Sequence, residues 1–126
     1  MVDTGVFIAL EKGTASAEVL AFDAYGQTCV SAVTVSELLV GIHLADTAAR
    51  RAKRTAFVEG MLAQTRVLAF GEEVARVHAG LYASLQHAGQ RIGPHDLIIA
   101  ATALYHDLPL LTGNAAEFER VEGLNV

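Results

Sequence analysis

Four acidic residues of this 126-residue chain each stand alone within an otherwise apolar stretch, and their placement constrains the fold strongly. They are Asp3, Glu37, Asp96 and Glu117. Asp3 ends the short apolar start of the chain and precedes Thr4 and Gly5, a pattern typical of the carboxyl end of a buried parallel strand. Ligands of open α/β sheets bind at that end of the strands. We therefore expect the four carboxylates to meet at one edge of a sheet.

Short apolar strands alternate with helical patterns along the chain. The patterns predict strands at 1–3, 28–30, 67–70 and 108–112, with a fifth beginning at 124–126, and helices at 4–11, 14–25, 31–44, 47–65, 71–89, 94–107 and 114–121. This alternation predicts a three-layer α/β/α domain with a mostly parallel sheet of four to five strands. The content of 52% hydrophobic and 18% charged residues fits a single globular domain over residues 1–126.

Composition favours a cytoplasmic protein without membrane association. A single cysteine, Cys29, excludes an intrachain disulfide, and no segment has the pattern of a membrane span or a signal peptide. The net charge of −5 is unfavourable for nucleic-acid binding unless positive charge is concentrated locally. The basic residues Arg50, Arg51, Lys53 and Arg54 are such a concentration, and form either a solvated helix face or a phosphate-binding patch.

Glu37 and Asp96 each have an ordinary structural explanation as well as a functional one. Glu37 lies four residues before Gly41 on the same helical face, so it is either an exposed glutamate beside a packing glycine or a group that a ligand approaches closely. Asp96 follows Pro94 in the first turn of a helix, where the helix dipole stabilises any carboxylate. The position of each acid alone does not choose between these explanations.

The turn after the fourth predicted strand is surrounded by three polar residues, Thr112, Asn114 and Glu117. All three offer oxygen atoms at its carboxyl end, although Asn114 and Glu117 also have the i, i+3 spacing of a capping box. Crowded carboxylates raise each other's pKa unless cations compensate their charge. Oxygen-only ligands select Mg²⁺ or Mn²⁺, and two such ions can promote hydrolysis of a phosphodiester.

The ordered set of motifs resembles the PIN-domain ribonucleases, in particular the VapC-type toxins of bacterial toxin–antitoxin pairs. The matching stretches are residues 2–6, 34–41, 96–103, 111–114 and 117–118. The resemblance implies a Mg²⁺- or Mn²⁺-dependent endoribonuclease in which Asp3, Glu37 and Asp96 hold the metal. Glu117 would be the fourth metal-binding catalytic acid, and Thr4, Thr112 and Asn114 would be secondary contacts.

The same resemblance implies an RNA substrate, a homodimer, a small cognate antitoxin that blocks the site, and a higher assembly of toxin with antitoxin. The run from Arg50 to Arg54 would then hold the RNA backbone. This sequence departs from the family pattern in three places. Gly5 replaces the usual serine, the first strand has only two residues before Asp3, and the chain ends close after the predicted fifth strand begins.

Two other interpretations stay open. A catalytically degenerate PIN-like module would act only by binding partners or RNA. A phosphatase or receiver domain would use an aspartate as phosphoryl acceptor. However, the phosphatase pattern needs an acid where Gly5 stands, and a receiver needs a late lysine, whereas the last lysine is Lys53. Among the histidines, His95 is a candidate for substrate contact because it adjoins Asp96.

Overall fold

The structure, a computed structural model, describes residues 1–14 and 27–126. Except for Thr14, the helix predicted at 14–25 lies outside the described residues. The elements, in chain order, are α1 (Thr4–Lys12), β1 (Cys29–Ser31), α2 (Ala32–His43), α3 (Ala48–Leu62), β2 (Arg66–Leu68), α4 (Glu72–His87), α5 (Pro94–Tyr105) and α6 (Ala115–Phe118). These elements follow the predicted alternation of strand and helix.

A small parallel sheet lies at the centre of the fold. Strands β1 and β2 pair in parallel, with Val30 opposite Val67. On the other side of β1, the amide of Val2 donates to the carbonyl of Cys29 at 2.9 Å, and Val2 forms a parallel bridge with Leu111. The chain start therefore lies between β1 and the segment that contains Leu111.

The strand count differs from the prediction of four to five. In the described residues two strands form a ladder, and the predicted strands at 1–3 and 108–112 are reduced to one bridge. Asp3 already caps α1, and Pro109 has no amide hydrogen to donate, so each segment has room for little pairing. The predicted strand at 124–126 contributes one hydrogen bond, from the Leu110 amide to the Asn125 carbonyl at 2.8 Å.

Helices cover both faces of the sheet, and the residues that the structure describes form two hydrophobic cores. The first core includes Phe7 of α1, Leu38 of α2 and Val58 of α3. The second includes Leu85 of α4, Ile99 of α5 and Phe118 of α6. The neighbours Met1 and Val2 contribute to opposite cores, because successive side chains of an extended segment point to opposite faces. The three-layer α/β/α arrangement is thus confirmed.

Helix α5 is buried around most of its circumference, as its nearly continuous apolar sequence predicts. Ile99, Ala100, Ala101 and Ala103 have no exposed surface. The three alanines allow close packing on several sides. Ile99→Ala would lower the free energy of unfolding by about 2–5 kcal/mol. In the described part of the chain, no helix combines the length and apolar character that crossing a membrane requires.

Candidate metal-binding active site

Asp3 lies where the first extended segment ends and α1 begins. Its backbone is extended (φ −76°, ψ 153°), and its Oδ1 accepts the Thr4 amide at 2.7 Å, so Asp3 is the N-cap of α1. Its Oδ2 accepts the hydroxyl of Thr112 at 2.7 Å. Only 7% of the residue is exposed. The carboxylate is therefore held in one orientation by two segments that are distant in sequence.

Thr4 connects this aspartate to Glu37 on α2. The Thr4 hydroxyl donates to Glu37 Oε1 at 2.8 Å and lies 3.0 Å from the buried hydroxyl of Thr34. Since Thr34 and Glu37 are three residues apart on one helix, they present a hydroxyl and a carboxylate on the same face. Glu37 Oε2 lies 3.6 Å from Nδ1 of His95 at the start of α5.

Asp96 and Glu117 flank the backbone of Gly93. A β-carbon placed on Gly93 would lie 3.6 Å from Asp96 Oδ2 and 3.8 Å from Glu117 Oε1. Glu117 Oε1 accepts the Gly93 amide at 2.7 Å, and Glu117 Oε2 accepts the side-chain amide of Asn114 at 2.7 Å. Asn114 makes no side-chain cap of α6, so Asn114 and Glu117 do not form a capping box.

One hydrogen-bond network passes through three of the four acids. Thr112, which donates to Asp3, also accepts the backbone amide of Asn114 at 3.0 Å, and Asn114 in turn donates to Glu117. Asp3 is joined to Glu37 through Thr4. Asp96 makes no bond in this network but lies beside Glu117 and within its electrostatic reach. The structure thus brings together the acids predicted from separate parts of the sequence, with Thr4, Thr112 and Asn114 between them.

Crowding and burial raise the pKa of two of these carboxyl groups. Burial is the largest cause for Asp96, and with the charges of Asp3, Glu117 and Glu37 it raises the pKa to about 6, against an opposing effect of His95. Burial also raises the pKa of Asp3, despite the hydrogen bonds from Thr112 and Thr4, and the charges of Glu37 and Glu117 add to the increase. A positive charge brought into the site would favour the ionised form of both carboxyl groups.

The donor chemistry of this site fits a hard divalent cation. The four side chains offer only carboxylate oxygens, which Mg²⁺ and Mn²⁺ prefer. Among the residues that the structure describes, no three His, Cys, Asp or Glu side chains already form a group able to hold one ion. A cation bound by the carboxylates would replace part of this hydrogen bonding, and the bond between Asn114 and Glu117 is exposed.

The basic run on α3 does not lie at the acids. Its three arginines have partners within the chain: Arg50 pairs with Asp46 at 2.8 Å, Arg51 donates to the Ala45 carbonyl at 3.2 Å, and Arg54 donates to Glu11 at 3.1 Å and the Gly41 carbonyl at 2.9 Å. Lys53 is exposed. Gly41 is about 6 Å from Glu37 along the helix axis, so Arg54 lies one turn beyond the site. Arg54 also packs against Gly41, where an added β-carbon would make an ordinary contact with Arg54 Cδ at 3.8 Å.

Two arginines beside the site were missed by the sequence analysis. Arg120 Nη1 donates to the carbonyl of Arg91 at 2.9 Å, and these two residues flank the segments joined by the hydrogen bond from the Gly93 amide to Glu117. Neither lies in a basic run; Arg120 is three residues after Glu117, and Arg91 is five residues before Asp96. That proximity was the available signal. Thr34 was also missed, although it belongs to the same motif as Glu37.

The chain is similar to known proteins over most of its length. The model of the PIN domain family matches residues 1–124. The chain is 36% identical over 126 residues to ribonuclease VapC1 of Rickettsia felis, covering 100% of this chain and 92% of that protein. It is 36% identical over 100 residues to the tRNA(fMet)-specific endonuclease VapC of Shigella flexneri, covering 79% and 73%.

A solved structure extends this similarity to three dimensions. VapBC-5 of Mycobacterium tuberculosis, a member of the VapBC family of toxin–antitoxin systems, matches with a TM-score of 0.76 at 30% identity, covering 99% of this chain and 96% of that chain. Sequence and fold agree over nearly the same length. The chain therefore belongs to the PIN domain family.

Proposed function

We propose that this protein is a Mg²⁺- or Mn²⁺-dependent endoribonuclease and the toxin of a VapBC-type toxin–antitoxin pair. The observation that carries the proposal is the gathering of Asp3, Glu37, Asp96 and Glu117 from four segments into one site. A purely structural role does not account for a cluster in which burial, together with mutual repulsion, raises carboxyl pKa values. RNA as the substrate class is supported by relatives named as a ribonuclease and as a tRNA-specific endonuclease.

The metal would be held by the carboxylates of Asp3, Glu37, Asp96 and Glu117. When bound, a divalent cation lowers the pKa of water and stabilises the negative charge that develops on a phosphodiester during in-line displacement. The acids themselves transfer no group to the substrate under this proposal. Their function is to bind and orient, and this separates the enzyme from phosphatases that form an aspartyl-phosphate.

The neighbouring residues prepare the acids for this function. Thr112 and the Thr4 amide orient Asp3, while the Thr4 hydroxyl orients Glu37, so two ligands are fixed before substrate arrives. Burial and the neighbouring acids raise the pKa of Asp96, and positive charge that enters the site opposes both effects and favours its ionised form. The His95 side chain is 57% exposed and lies 3.6 Å from Glu37, and under this proposal it would donate a hydrogen bond to a phosphate oxygen.

The decisive experiment is incubation of the purified protein with RNA, including a tRNA mixture, in Mg²⁺ or Mn²⁺ with and without chelator. We expect cleavage only with the metal, and products that carry 5′-phosphate and 3′-hydroxyl ends, since under this proposal water attacks the phosphorus and the ribose 3′-oxygen leaves. Cyclic phosphate ends would show attack by the ribose 2′-hydroxyl and contradict the mechanism. RNA binding without metal-dependent cleavage would favour the degenerate PIN-like module instead.

We also propose that a small antitoxin covers the site, and that the toxin acts in the cytoplasm as a homodimer that forms a higher assembly with it. The structural relative from a toxin–antitoxin system supports such a partner. Exposed apolar side chains lie on or beside the two helices that carry the Asp3–Glu37 side of the site, namely Ile8, Val40 and Leu44. An arginine of the partner would pair well with the clustered carboxylates. Addition of the partner is expected to abolish cleavage.

A further inference from the structure

A cavity of about 400 Å³ lies between α4 and the start of α5. Leu85, Ile92 and Leu97 give it an apolar lining, and Pro94 lines it at the first position of α5. Asp96 lies in that same first helical turn, about 3 Å from Pro94 along the helix axis, so the start of α5 contributes to both the cavity and the acidic site. The cavity includes none of the four carboxylates. It is therefore a separate recess that opens beside the candidate active site.

Helix α4 contributes a row of aromatic and polar side chains to this cavity. His78, Tyr82 and Gln86 all line it and follow one another at intervals of four residues, so they share one helical face. Tyr82 is 57% exposed although it is a large aromatic residue. The ring of His78 packs edge-on against Phe70 at a centroid distance of 5.6 Å and an angle of 89°, which supports its orientation.

Arg91 adds a positive charge to the same cavity. In the part of the chain that the structure describes, its guanidinium makes no hydrogen bond and no ion pair, while its carbonyl is held by Arg120. The arginines on α3 are occupied by intrachain partners, so Arg91 differs from them in being available to an external anion. An anionic ligand next to the acids is expected to need such a charge, because the chain is negative overall.

We propose that this cavity binds an unpaired nucleobase of the RNA, adjacent to the phosphodiester at the acidic site. This inference rests on the proposed function. Single-stranded RNA is recognised by stacking of splayed bases on Tyr, His or Arg side chains and by hydrogen bonds to base edges. Tyr82 and His78 supply the stacking surfaces, Gln86 supplies both a donor and an acceptor, and Arg91 pairs with the flanking phosphate. A base within a duplex does not enter, so the cavity selects unpaired RNA.

Binding of short fluorescein-labelled RNA to the Asp96→Asn protein tests this assignment without cleavage. The probes are homopolymers of A, C, G and U and an abasic oligonucleotide of equal length, which keeps the phosphates and lacks the bases. We expect at least one homopolymer to bind about tenfold more tightly than the abasic probe, a size typical of one stacked base. Equal binding of all probes would overturn the proposal.

Variants of Tyr82 connect any such preference to the cavity. Tyr82→Ala is expected to abolish the tenfold preference, whereas Tyr82→Phe keeps the ring and retains it. The matched control is Tyr105→Ala, because Tyr105 is also exposed but lies at the far end of α5, about 16 Å from Pro94. A preference that survives Tyr82→Ala would overturn the proposal. So would a Tyr82→Ala variant that loses antitoxin binding and keeps RNA binding, since the cavity would then belong to the antitoxin.

RNA cleavage by the Tyr82→Ala variant with all four acids intact tests the base-binding cavity separately from the proposed nuclease activity. We expect Tyr82→Ala to raise KM for unpaired RNA about tenfold with little change in kcat, because ground-state binding is lost. Unchanged KM in an enzyme that cleaves RNA would overturn the base-binding cavity and leave the nuclease intact. A base preference that depends on Tyr82 in a protein that never cleaves would support the cavity and contradict the nuclease.

Discussion

The hydroxyl of Thr112 donates a hydrogen bond of 2.7 Å to Oδ2 of Asp3, although 109 residues separate them in sequence. The bond joins the start of the chain to the turn before α6. It also ties the orientation of a buried carboxylate to the segment that carries Asn114 and Glu117. Each half of the candidate site thus depends on the other for its geometry, and several variants test this dependence.

Thr112→Val is expected to reduce kcat/KM for RNA by about 10- to 100-fold, the size typical of losing a partner of a metal ligand. The substitution keeps the shape of the side chain and removes the donor to Asp3 and the acceptor for the Asn114 amide. Thr112→Ser restores the hydroxyl and should recover most of the activity. Cleavage rates measured under equal metal concentrations decide the result. Activity of Thr112→Val equal to that of the parent would remove this hydrogen bond from the mechanism.

Asp3→Asn is expected to lower cleavage by at least about a hundredfold while the protein stays folded. Asparagine caps a helix about as well as aspartate, so the N-cap of α1 is retained while the charged metal ligand is lost. Circular dichroism and thermal unfolding monitor the fold, and RNA cleavage monitors the site. Asp107→Asn, an equivalent change at an exposed position outside the site, should cleave like the parent. Parental activity in Asp3→Asn would show that the site is wrongly assigned.

Thr4→Val should affect both stability and activity. The buried hydroxyl of Thr4 is the donor to Glu37 and a neighbour of the Thr34 hydroxyl, so its loss leaves Thr34 with one fewer partner. A cost of about 1–2 kcal/mol in the free energy of unfolding is expected, measured by urea denaturation. Cleavage should fall about tenfold because Glu37 loses its orientation. A variant as stable and as active as the parent would contradict this contact.

Without divalent metal, Asp96→Asn is expected to stabilise the protein at neutral pH. Folding raises the pKa of Asp96 from 3.8 to about 6, so between these values the folded state binds more protons than the unfolded state. Stability of the parent therefore falls as the pH rises through that window and stays lower above it. Because Asp96 is only partly buried, its ionisation lowers the free energy of unfolding of the parent by about 1 kcal/mol after allowance for solvent screening. Urea unfolding in chelator at pH 4 and pH 7 measures it.

Metal should reverse this order of stabilities. A cation that binds only the folded site stabilises it in proportion to the logarithm of its concentration over Kd. Mg²⁺ or Mn²⁺ is therefore expected to raise the melting temperature of the parent more than that of Asp96→Asn. An equal increase in both proteins would show that Asp96 does not hold the metal.

Arg91→Gln and Arg54→Gln distinguish the two basic regions. Loss of a phosphate contact at Arg91 should lower the salt dependence of RNA binding by about one unit of slope. Arg54 donates to Glu11 and to the Gly41 carbonyl, so Arg54→Gln should destabilise the fold by about 1–2 kcal/mol and leave the slope unchanged. Titrations at several salt concentrations and urea unfolding give both quantities. A lowered slope for Arg54→Gln alone would return RNA binding to the α3 cluster.

The sequence predicted the helices better than it predicted the strands and the partners of the basic residues. Burial of α5 follows from an almost wholly apolar segment, which needs no knowledge of its neighbours. Segments 1–3 and 108–112 were predicted as strands because their residues favour extended backbone. Their pairing is limited by Asp3, which already begins a helix, and by Pro109. The basic run on α3 showed its charge in the sequence but not the partners of its arginines.

The amino-acid sequence alone determined where carboxylates interrupt apolar segments and which helices are buried, because hydrophobic periodicity and helix capping are local properties of the chain. Only the tertiary structure decided that Thr112 orients Asp3, that Thr4 orients Glu37, and that a cavity opens beside Pro94. Hydrogen bonds and cavities between segments depend on the packing of side chains that are far apart in sequence. No local pattern specifies such distances.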